Sequence, residues 1–307
     1  MEKIYDHEIT IKLRPNDDSK NLFFENSNEL IKEFEHFIKN KYPNKISFQN
    51  TEKTGIDFFT KRILNNEHFT FVKYGDGELL CMLGAKGENC DFHSYSPRLA
   101  KLLQISFAKL LDSKKVFLAD WKDNLIDARD SFIKMYNLEP KFADYECFLT
   151  VEENIKDNKL LNFYKILKNT NSKKVFVGPE KLKGVKEMFN IEDFITVPSK
   201  NAFDDYDSIK SKLISTLDDN NIYMFCCSMM SCVLINDLIE LNQNVTCLDI
   251  GSGLDPIFSY KSRPKQPSQS LVHKYYRPIL PDYLIKDKVQ KAASIINNLS
   301  SFSNRQG

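Results

Sequence analysis

The chain has 307 residues, of which 42% are hydrophobic and 28% are charged, and its formal net charge is +1. This length accommodates one large α/β domain or two smaller ones, and the apolar content is sufficient for a sizeable core. The balance of charge argues against a general nucleic-acid-binding or membrane-coating surface, but it is compatible with a local basic pocket for a phosphorylated ligand.

The first part of the chain is polar and rich in Lys, Asn and Glu. Apolar residues recur at helical spacing over residues 30–38, which predicts a one-faced helix. The N-terminus lacks the apolar core of a signal peptide, and the longest apolar stretch, Ile222–Ile235, is too short to span a bilayer. We therefore predict a cytoplasmic protein without a transmembrane segment, with an N-terminal helical extension over residues 1–52 and a main domain over residues 53–307.

The main domain alternates between β-favouring runs and helical patterns. Strands are predicted at Phe69–Lys73, Lys115–Ala119, Cys147–Val151, Lys174–Val177, Phe194–Val197, Ile222–Cys227 and Val245–Ile250. Helices are predicted at Ile56–Leu64, Leu99–Leu111, Leu160–Leu167, Ile209–Leu217 and Cys232–Leu241. This alternation indicates a Rossmann-like α/β fold, a mostly parallel sheet with helices on both faces. One α/β body is the preferred interpretation, and a division near residue 170 into two halves is the alternative.

The segment from residue 251 to residue 281 interrupts the alternation with Gly, Ser, Pro and basic residues. We predict a long loop, which is either a loop that meets phosphates or an acceptor, or a solvated one. Its basic residues are Lys261, Arg263, Lys265, Lys274 and Arg277. Residues 283–299 then predict a C-terminal helix.

The seven cysteines are an odd number, and none has the spacing of a metal knuckle. Several lie in apolar patterns, so we predict buried, reduced, structural thiols. The five histidines suggest, by their spacing, no base for a nucleophilic cysteine.

Two carboxylates, Asp76 and Glu78, stand at a predicted strand-to-helix corner, separated by a single glycine. Ligands of open α/β sheets bind at the carboxyl ends of strands. In an extended turn, side chains two residues apart point the same way, and two carboxylates at one point favour a hard cation such as Mg²⁺ or Mn²⁺. The alternative is a plain turn in which Glu78 only begins a helix.

Other strand ends carry further candidates, each with a structural alternative. Basic groups near the carboxylates are candidates for binding a diphosphate, or are ordinary surface residues. A Gly-Pro pair and a Ser that follow strands offer anion sites or simple turns and caps, and an Asn offers a ligand contact or a helix cap. Two aspartates after the last strand offer a general base or a turn. These residues are Lys73, Arg98 and Lys101, then Gly178, Pro179, Asn201 and Ser228, and finally Asp249 and Asp255.

Taken together, the motifs resemble the GT-D type glycosyltransferases of the DUF1792 family over roughly residues 55 to 255. The resemblance lies in Lys73–Glu78, Val177–Glu180, Val197–Asp207 and Asp249–Gly251. It implies a UDP-sugar donor, with glucose as the default sugar, and a glycan or glycoprotein acceptor. Two departures are Lys73 in place of Arg, and Ser252 where the family has His.

By this resemblance, Asp76 and Glu78 bind Mn²⁺ or Mg²⁺, and Asp249 or Asp255 deprotonates the acceptor. The donor-binding positions are Lys73, Tyr74, Gly75, Arg98, Gly178, Pro179, Asn201 and Ser228. The sequence leaves the sugar, the linkage, the stereochemical course and the oligomeric state open. No nucleic-acid partner is expected.

Three other functions remain as hypotheses. Leu248–Gly253 resembles the glycine-rich turn of S-adenosylmethionine methyltransferases, although that turn normally follows the first strand. A metal-dependent phosphohydrolase would use Asp76 and Glu78 with additional acidic ligands. A non-catalytic binding module would use the same residues only as a turn.

Overall fold

A computed structural model of the chain describes His36 and residues 53–120, 125–258, 263 and 265–285. Within the predicted N-terminal extension, His36 is helical and exposed, and the rest of residues 1–52 lies outside the described residues. The predicted C-terminal helix is described only as far as residue 285. In the described part of the chain, no helix is both long and apolar enough to cross a membrane.

One seven-stranded sheet organises the described residues, and all its strand pairs are parallel. The strands are β1 (Thr70–Val72), β2 (Val116–Asp120), β3 (Lys141–Asp144), β4 (Lys174–Pro179), β5 (Asp193–Val197), β6 (Ile222–Phe225) and β7 (Thr246–Asp249). Their order is β3-β2-β1-β7-β6-β4-β5. The sheet therefore joins strands from both sides of residue 170, with β1 and β7 adjacent at its centre.

Helices connect most of the strands and cover both faces of the sheet. They are α1 (Ile56–Leu64), α2 (Asp76–Met82), α3 (Pro97–Leu111), α4 (Ile126–Met135), α5 (Glu152–Lys156), α6 (Lys159–Asn169), α7 (Val185–Phe189), α8 (Tyr206–Ile214), α9 (Met230–Leu241), α10 (Asp255–Phe258) and α11 (Gln269–Tyr276). Short 3₁₀ turns occupy Glu180–Leu182, Ala202–Asp205 and Gly251–Leu254. One core cluster contains side chains of α2, α3, α4, α8 and α9, and the other contains those of the remaining helices. The predicted Rossmann-like α/β fold is thus confirmed.

The central strands β1 and β7 are buried along their whole length because both faces of the sheet are covered. In β1, Phe71 packs into one core cluster and Val72 into the other. The helix starts also follow from local sequence. Ser96 caps α3 by accepting a hydrogen bond from Leu99 N–H, and Pro97 occupies the first helical position, where no intrahelical N–H bond is needed.

Two predictions of secondary structure are wrong. The strand expected at Cys147–Val151 is a series of turns, and the strand that pairs with β2 is β3, at Lys141–Asp144. Phe148 misled the prediction because it is fully buried, with its ring 4.8 Å from that of Phe71, although its backbone is not in the sheet. β3 is an edge strand with exposed ends, so it lacks the apolar run of a central strand.

The second error is the long loop over residues 251–281. This segment contains a 3₁₀ turn, α10 and α11. Ser268 caps α11 by accepting from Leu271 N–H, and Val272 and Tyr276 bury one face of the helix. The stretch with helical spacing is short, and the surrounding Pro and Ser residues favour a loop in a sequence-based prediction. The helix predicted at Ile209–Leu217 also begins earlier and ends at Ile214.

Candidate functional site

A cavity of about 790 Å³ lies at the carboxyl ends of the strands, as expected for an open parallel sheet. Residues that end or follow β1, β2, β3, β6 and β7 line it, together with parts of the segments 89–91 and 263–266. Its carboxylates are Asp76, Glu78, Asp91, Asp120, Asp144, Glu146 and Asp249, and its cationic groups are Lys53, Lys73, Arg263 and Lys265. The acidic side chains outnumber the basic ones, so the cavity favours a cation as part of its ligand.

Asp76 and Glu78 form the first turn of α2 rather than an extended turn. Gly75 is the residue before the helix, and its N–H donates to Glu78 Oε2 at 2.9 Å, as in a capping box. Asp76 Oδ1 accepts from Gly77 N–H at 2.9 Å, and the Asp76 side chain is exposed. Residues two apart on a helix do not share a face, yet both carboxylates line the same cavity.

The residue between the two carboxylates is a glycine, Gly77, and Asn89 packs directly against it. A Cβ atom at residue 77 would lie 3.0 Å from Asn89 Cβ, closer than ordinary side-chain contact. Asn89 Nδ2 donates to Ser228 Oγ at 2.8 Å, and Asn89 Oδ1 accepts from the N–H groups of Asp91 and His93 at 3.0 Å. This asparagine therefore connects the start of α2 to the loop after β6.

Lys73 and Asp249 lie side by side at the ends of β1 and β7, and both are buried. Lys73 Nζ donates to the Ile250 carbonyl at 2.7 Å, and Lys73 N–H donates to Asp249 Oδ2 at 3.3 Å. Burial lowers the pKa of Lys73, which Asp249 opposes, and burial raises the pKa of Asp249 to about 6, which Lys73 opposes.

Burial likewise raises the pKa of Glu78 to about 8, with Asp249 and Asp76 contributing further. Three carboxylates thus repel one another around the end of β1. A bound cation would relieve this repulsion.

The ends of β2 and β3 form a second acidic wall of the cavity. Asp120, the last residue of β2, contacts the side chains of Lys53 and Arg129. Burial alone would raise the pKa of Asp120, but hydrogen bonds from these two cations hold it below its usual value. Asp144 ends β3, and its Oδ1 accepts from Glu146 N–H at 3.1 Å.

The structure brings together some of the sequence-predicted residues and separates others. Those that line the cavity are Lys73, Gly75, Asp76, Glu78, Ser228 and Asp249. Ser228 has a left-handed backbone, with φ of 56°, a conformation that costs energy for a residue other than glycine and is common at functional sites. The predicted residues outside the cavity lining are Tyr74, Arg98, Gly178, Pro179, Asn201 and Asp255.

Most of these outlying residues have structural partners. Tyr74 is buried, with its hydroxyl 2.8 Å from Ser106 Oγ. Arg98 contacts both oxygens of Asp207, and Asn201 Oδ1 accepts from Ser94 N–H at 2.8 Å. Asp255 Oδ1 lies 3.9 Å from Lys181 Nζ. Lys101 is exposed on α3, outside the cavity lining.

Sequence reasoning missed several residues of the cavity. Asp120 ends a correctly predicted strand, so the rule that ligands bind at carboxyl ends would have found it. Asp144 was lost because its strand was misplaced. Asn89 and Asp91 lie in a connection between α2 and α3, where no periodic signal exists.

The cysteines are mostly as predicted: six of the seven are buried. The exception is Cys90, which is exposed and lines the cavity. All seven thiols are free.

No protein-family model matches the sequence. No curated protein matches it either. Two solved structures are similar. One, a selenomethionine-substituted domain of unknown function 1792, has a TM-score of 0.50 and 19% identity, covering 83% of this chain and 94% of that domain. The other, a domain 1792 described as having a distinct glycosyltransferase fold, has a TM-score of 0.48 and 22% identity, covering 73% and 82%. The first likeness shows that the chain shares the DUF1792 fold, as its motifs indicated.

Proposed function

We propose that this protein is a metal-dependent glycosyltransferase that moves a sugar from a nucleotide-sugar donor, first of all a UDP-sugar, to a glycan or glycoconjugate hydroxyl. The observation that carries the proposal is the position of Asp76 and Glu78. They lie in the first turn of α2, directly after β1, and line one cavity with Lys73 and Asp249. The motif resemblance to GT-D enzymes and the shared DUF1792 fold support the same assignment. The proposal includes action in the cytoplasm.

The carboxylates of Asp76 and Glu78 fit a hard divalent cation, Mn²⁺ or Mg²⁺, because both are oxygen ligands in an acidic cavity. Among the described residues, no three His, Cys, Asp or Glu side chains form a group that could hold a metal ion. Two protein carboxylates completed by substrate phosphates and water are the usual arrangement for Mg²⁺. When bound, the cation would neutralise charge on the departing diphosphate.

Asp249 is the stronger candidate for the base that deprotonates the acceptor hydroxyl. It lines the cavity, whereas Asp255 does not, and burial raises its pKa to about 6, closer to neutral pH than that of an ordinary aspartate. Lys73 beside it opposes this shift and so favours the charged form of the carboxylate. The buried ammonium of Lys73 also supplies positive charge at the end of β1.

The first test is binding of UDP, UDP-glucose and S-adenosylmethionine, each with and without Mn²⁺, measured by thermal shift. Ligand at about a hundred times its Kd adds about 2.7 kcal/mol, which is a shift of several degrees. We expect a shift with UDP that requires Mn²⁺ and is abolished by Asp76→Ala. The matched control is Asp127→Ala, which removes another exposed carboxylate from the first turn of a helix outside the cavity.

A metal-independent shift with S-adenosylmethionine alone would refute the proposal in favour of a methyltransferase. No shift with any of these ligands would favour a binding module. Equal loss of UDP binding in Asp76→Ala and Asp127→Ala would mean that the turn after β1 has no special role.

A further inference from the structure

We propose that Arg263 binds the diphosphate of the donor and that Asp91 holds its guanidinium in place until the donor arrives. The inference rests on the proposed function for the identity of the donor. It assigns a diphosphate subsite to the part of the cavity that Asp91 and Arg263 line. Four cationic side chains line the cavity among the described residues, and they differ in their partners.

Among the described residues that line the cavity, the three lysines are poorly suited to this role. Lys73 is 7% exposed, and its Nζ donates to a main-chain carbonyl. Lys53 contacts Asp120, whose other partner is Arg129. Lys265 has a side chain that is 84% exposed, with Nζ 3.6 Å from Glu146. None of them presents an ordered, accessible cation to an anion in the cavity.

Arg263 does present an ordered, accessible cation to the cavity, because Asp91 binds its guanidinium. Arg263 Nη2 lies 2.7 Å from each oxygen of the Asp91 carboxylate. The two side chains are 33% and 39% exposed, so a ligand can reach the pair. A guanidinium binds phosphate and carboxylate with the same donor geometry. The Asp91 carboxylate therefore stands where phosphate oxygens would bind.

The backbone of Arg263 is fixed by a buried glutamine. Gln266 is 4% exposed, and its Oε1 accepts from Arg263 N–H at 3.1 Å. Its Nε2 donates to the Ser252 carbonyl at 2.8 Å. Since Ser252 lies in the 3₁₀ turn three residues after Asp249, this bond ties Arg263 to the segment that follows the end of β7. The guanidinium is thus positioned relative to the candidate base, which a mobile surface arginine would not be.

Arg263 and the turn that carries Asp76 and Glu78 influence the same two side chains, Cys90 and Tyr145. Burial and the Asp91 charge raise the pKa of Cys90 to about 11, and Arg263 opposes them while Asp76 and Glu78 add to them. The pKa of Tyr145 is raised by burial and responds to the same carboxylates and to Arg263. Both side chains therefore experience the charges of the carboxylates and of the guanidinium, and both line the same cavity. A diphosphate that bridges a cation on Asp76 and Glu78 to Arg263 would release Asp91.

The test is isothermal titration of the full chain with pyrophosphate and with UDP, both in Mn²⁺. We expect Arg263→Gln to weaken both by about tenfold or more, the size of a lost charge-assisted contact, and Arg263→Lys to give an intermediate loss. The matched control, Lys265→Gln, removes the same charge two residues away and should change either affinity less than about twofold. Binding of Mn²⁺ alone should be unchanged in all three variants.

Asp91→Asn separates a ligand-binding role from a structural ion pair. Asparagine keeps an acceptor oxygen that can still order the guanidinium but loses the charge that competes with the diphosphate, so this variant should bind pyrophosphate as tightly as the wild type or several-fold more tightly. If the pair is only structural, Asp91→Asn and Arg263→Gln should weaken binding and lower Tm alike, and the inference is refuted. Unchanged pyrophosphate binding in Arg263→Gln would refute it as well.

The two proposals fail in different ways. If wild-type protein binds UDP with Mn²⁺ and Asp76→Ala does not, but Arg263→Gln binds normally, the glycosyltransferase proposal stands and the Arg263 subsite is wrong. If wild-type protein does not bind UDP yet binds pyrophosphate through Arg263, the anion site stands and the nucleotide-sugar assignment is wrong.

Discussion

The strand ends at the centre of the sheet and those near one edge look alike in sequence but differ in what surrounds them. After β1, β6 and β7, the chain delivers Asp76, Ser228 and Asp249 to one cavity. At the end of β4 and after β5, it delivers Gly178, Pro179 and Asn201, none of which lines that cavity. Both groups follow parallel strands at the same end of the sheet.

Strand order explains the difference. In the order β3-β2-β1-β7-β6-β4-β5, β4 is three positions from β1 and β5 is four. At about 4.8 Å per strand, these ends lie roughly 14 Å and 19 Å from the end of β1. A ligand centred on β1 and β7 reaches across β6 but not to the β5 edge. The rule that ligands bind at carboxyl ends therefore identifies the end of the sheet at which the site lies, and the strand order identifies which strands form it.

The polar side chains near the ends of β4 and β5 form hydrogen bonds within the protein. Glu180 Oε1 accepts from Lys183 Nζ at 2.7 Å and its Oε2 accepts from Thr196 Oγ1 at 3.2 Å. Asn201 Oδ1 accepts from Ser94 N–H. We conclude that the polar groups after β4 and β5 stabilise the turns there, and the following substitutions test that conclusion.

The largest expected effect separates the two candidate bases. Asp249→Asn should lower the rate of UDP release from UDP-glucose in Mn²⁺ by about 10²- to 10⁴-fold, the usual contribution of a general base. Asp255→Asn makes the same chemical change at a residue outside the cavity lining, near Lys181, and should lower that rate less than about threefold.

Retained binding of Mn²⁺–UDP by Asp249→Asn would show that the variant is folded and that the loss lies in the chemical step. Equal rates in the two variants would contradict the role of Asp249. A larger loss of rate in Asp255→Asn than in Asp249→Asn would identify Asp255 as the base instead.

A second pair of variants compares a glycine from each region. Gly77→Ala places a methyl group 3.0 Å from Asn89 Cβ, so it should displace Asn89 and weaken Mn²⁺–UDP binding by roughly tenfold. The better helix propensity of alanine, about 0.5–1 kcal/mol, should offset the steric cost and leave Tm nearly unchanged. Gly178→Ala places its methyl group 2.5 Å from the buried Phe176 ring and should cost about 1–3 kcal/mol of stability with normal UDP affinity.

Titration calorimetry and thermal unfolding of both glycine variants provide the measurement. The comparison of the two regions would be wrong if Gly178→Ala impaired UDP binding as much as Gly77→Ala. It would also fail if Gly77→Ala lost only stability, since Asn89 would then have no influence on the carboxylate turn.

The sequence predicts elements wherever hydrophobic periodicity is strong. The helix at Ile56–Leu64 is confirmed to the residue, and six of the seven predicted strands coincide with observed ones. Which of the candidate residues line the cavity follows the accuracy of the strand prediction. Asp76 and Glu78 follow a correctly predicted central strand, and Asp249 ends another. Asp144 ends β3, an edge strand whose two end residues are exposed and whose apolar run is therefore short.

Two kinds of information are absent from local patterns. Strand order depends on long-range pairing, so sequence spacing alone gives Asn201 the same standing as Ser228 although the sheet separates them. Contacts between distant segments, such as Asp91 with Arg263 at a separation of 172 residues, have no signature in either segment. Both are consequences of packing, which the sequence determines only through the whole fold.

The smallest expected effect concerns the link between the two regions, His93. Its Nδ1 accepts from Ala202 N–H at 3.3 Å, which joins the loop carrying Asn89 to the turn after β5. Burial lowers the pKa of His93 below 6.5, and Asp91 opposes this shift. Below pH 6.5 the unfolded chain therefore binds a proton that the folded protein excludes, so stability is lost as the pH falls through the folded-state pKa.

We expect Tm of the wild type to fall below pH 6.5 more steeply than that of His93→Asn, by on the order of one or two degrees. Asparagine retains an acceptor for Ala202 N–H but does not titrate. An NMR titration of the imidazole should give a midpoint below 6.5 in the folded protein. A midpoint at or above 6.5, or identical acid slopes in the two proteins, would contradict the link. Because Asn89 Oδ1 accepts from His93 N–H, a confirmed link would mean that the β5 edge of the sheet influences the cavity through this loop without contributing a ligand to it.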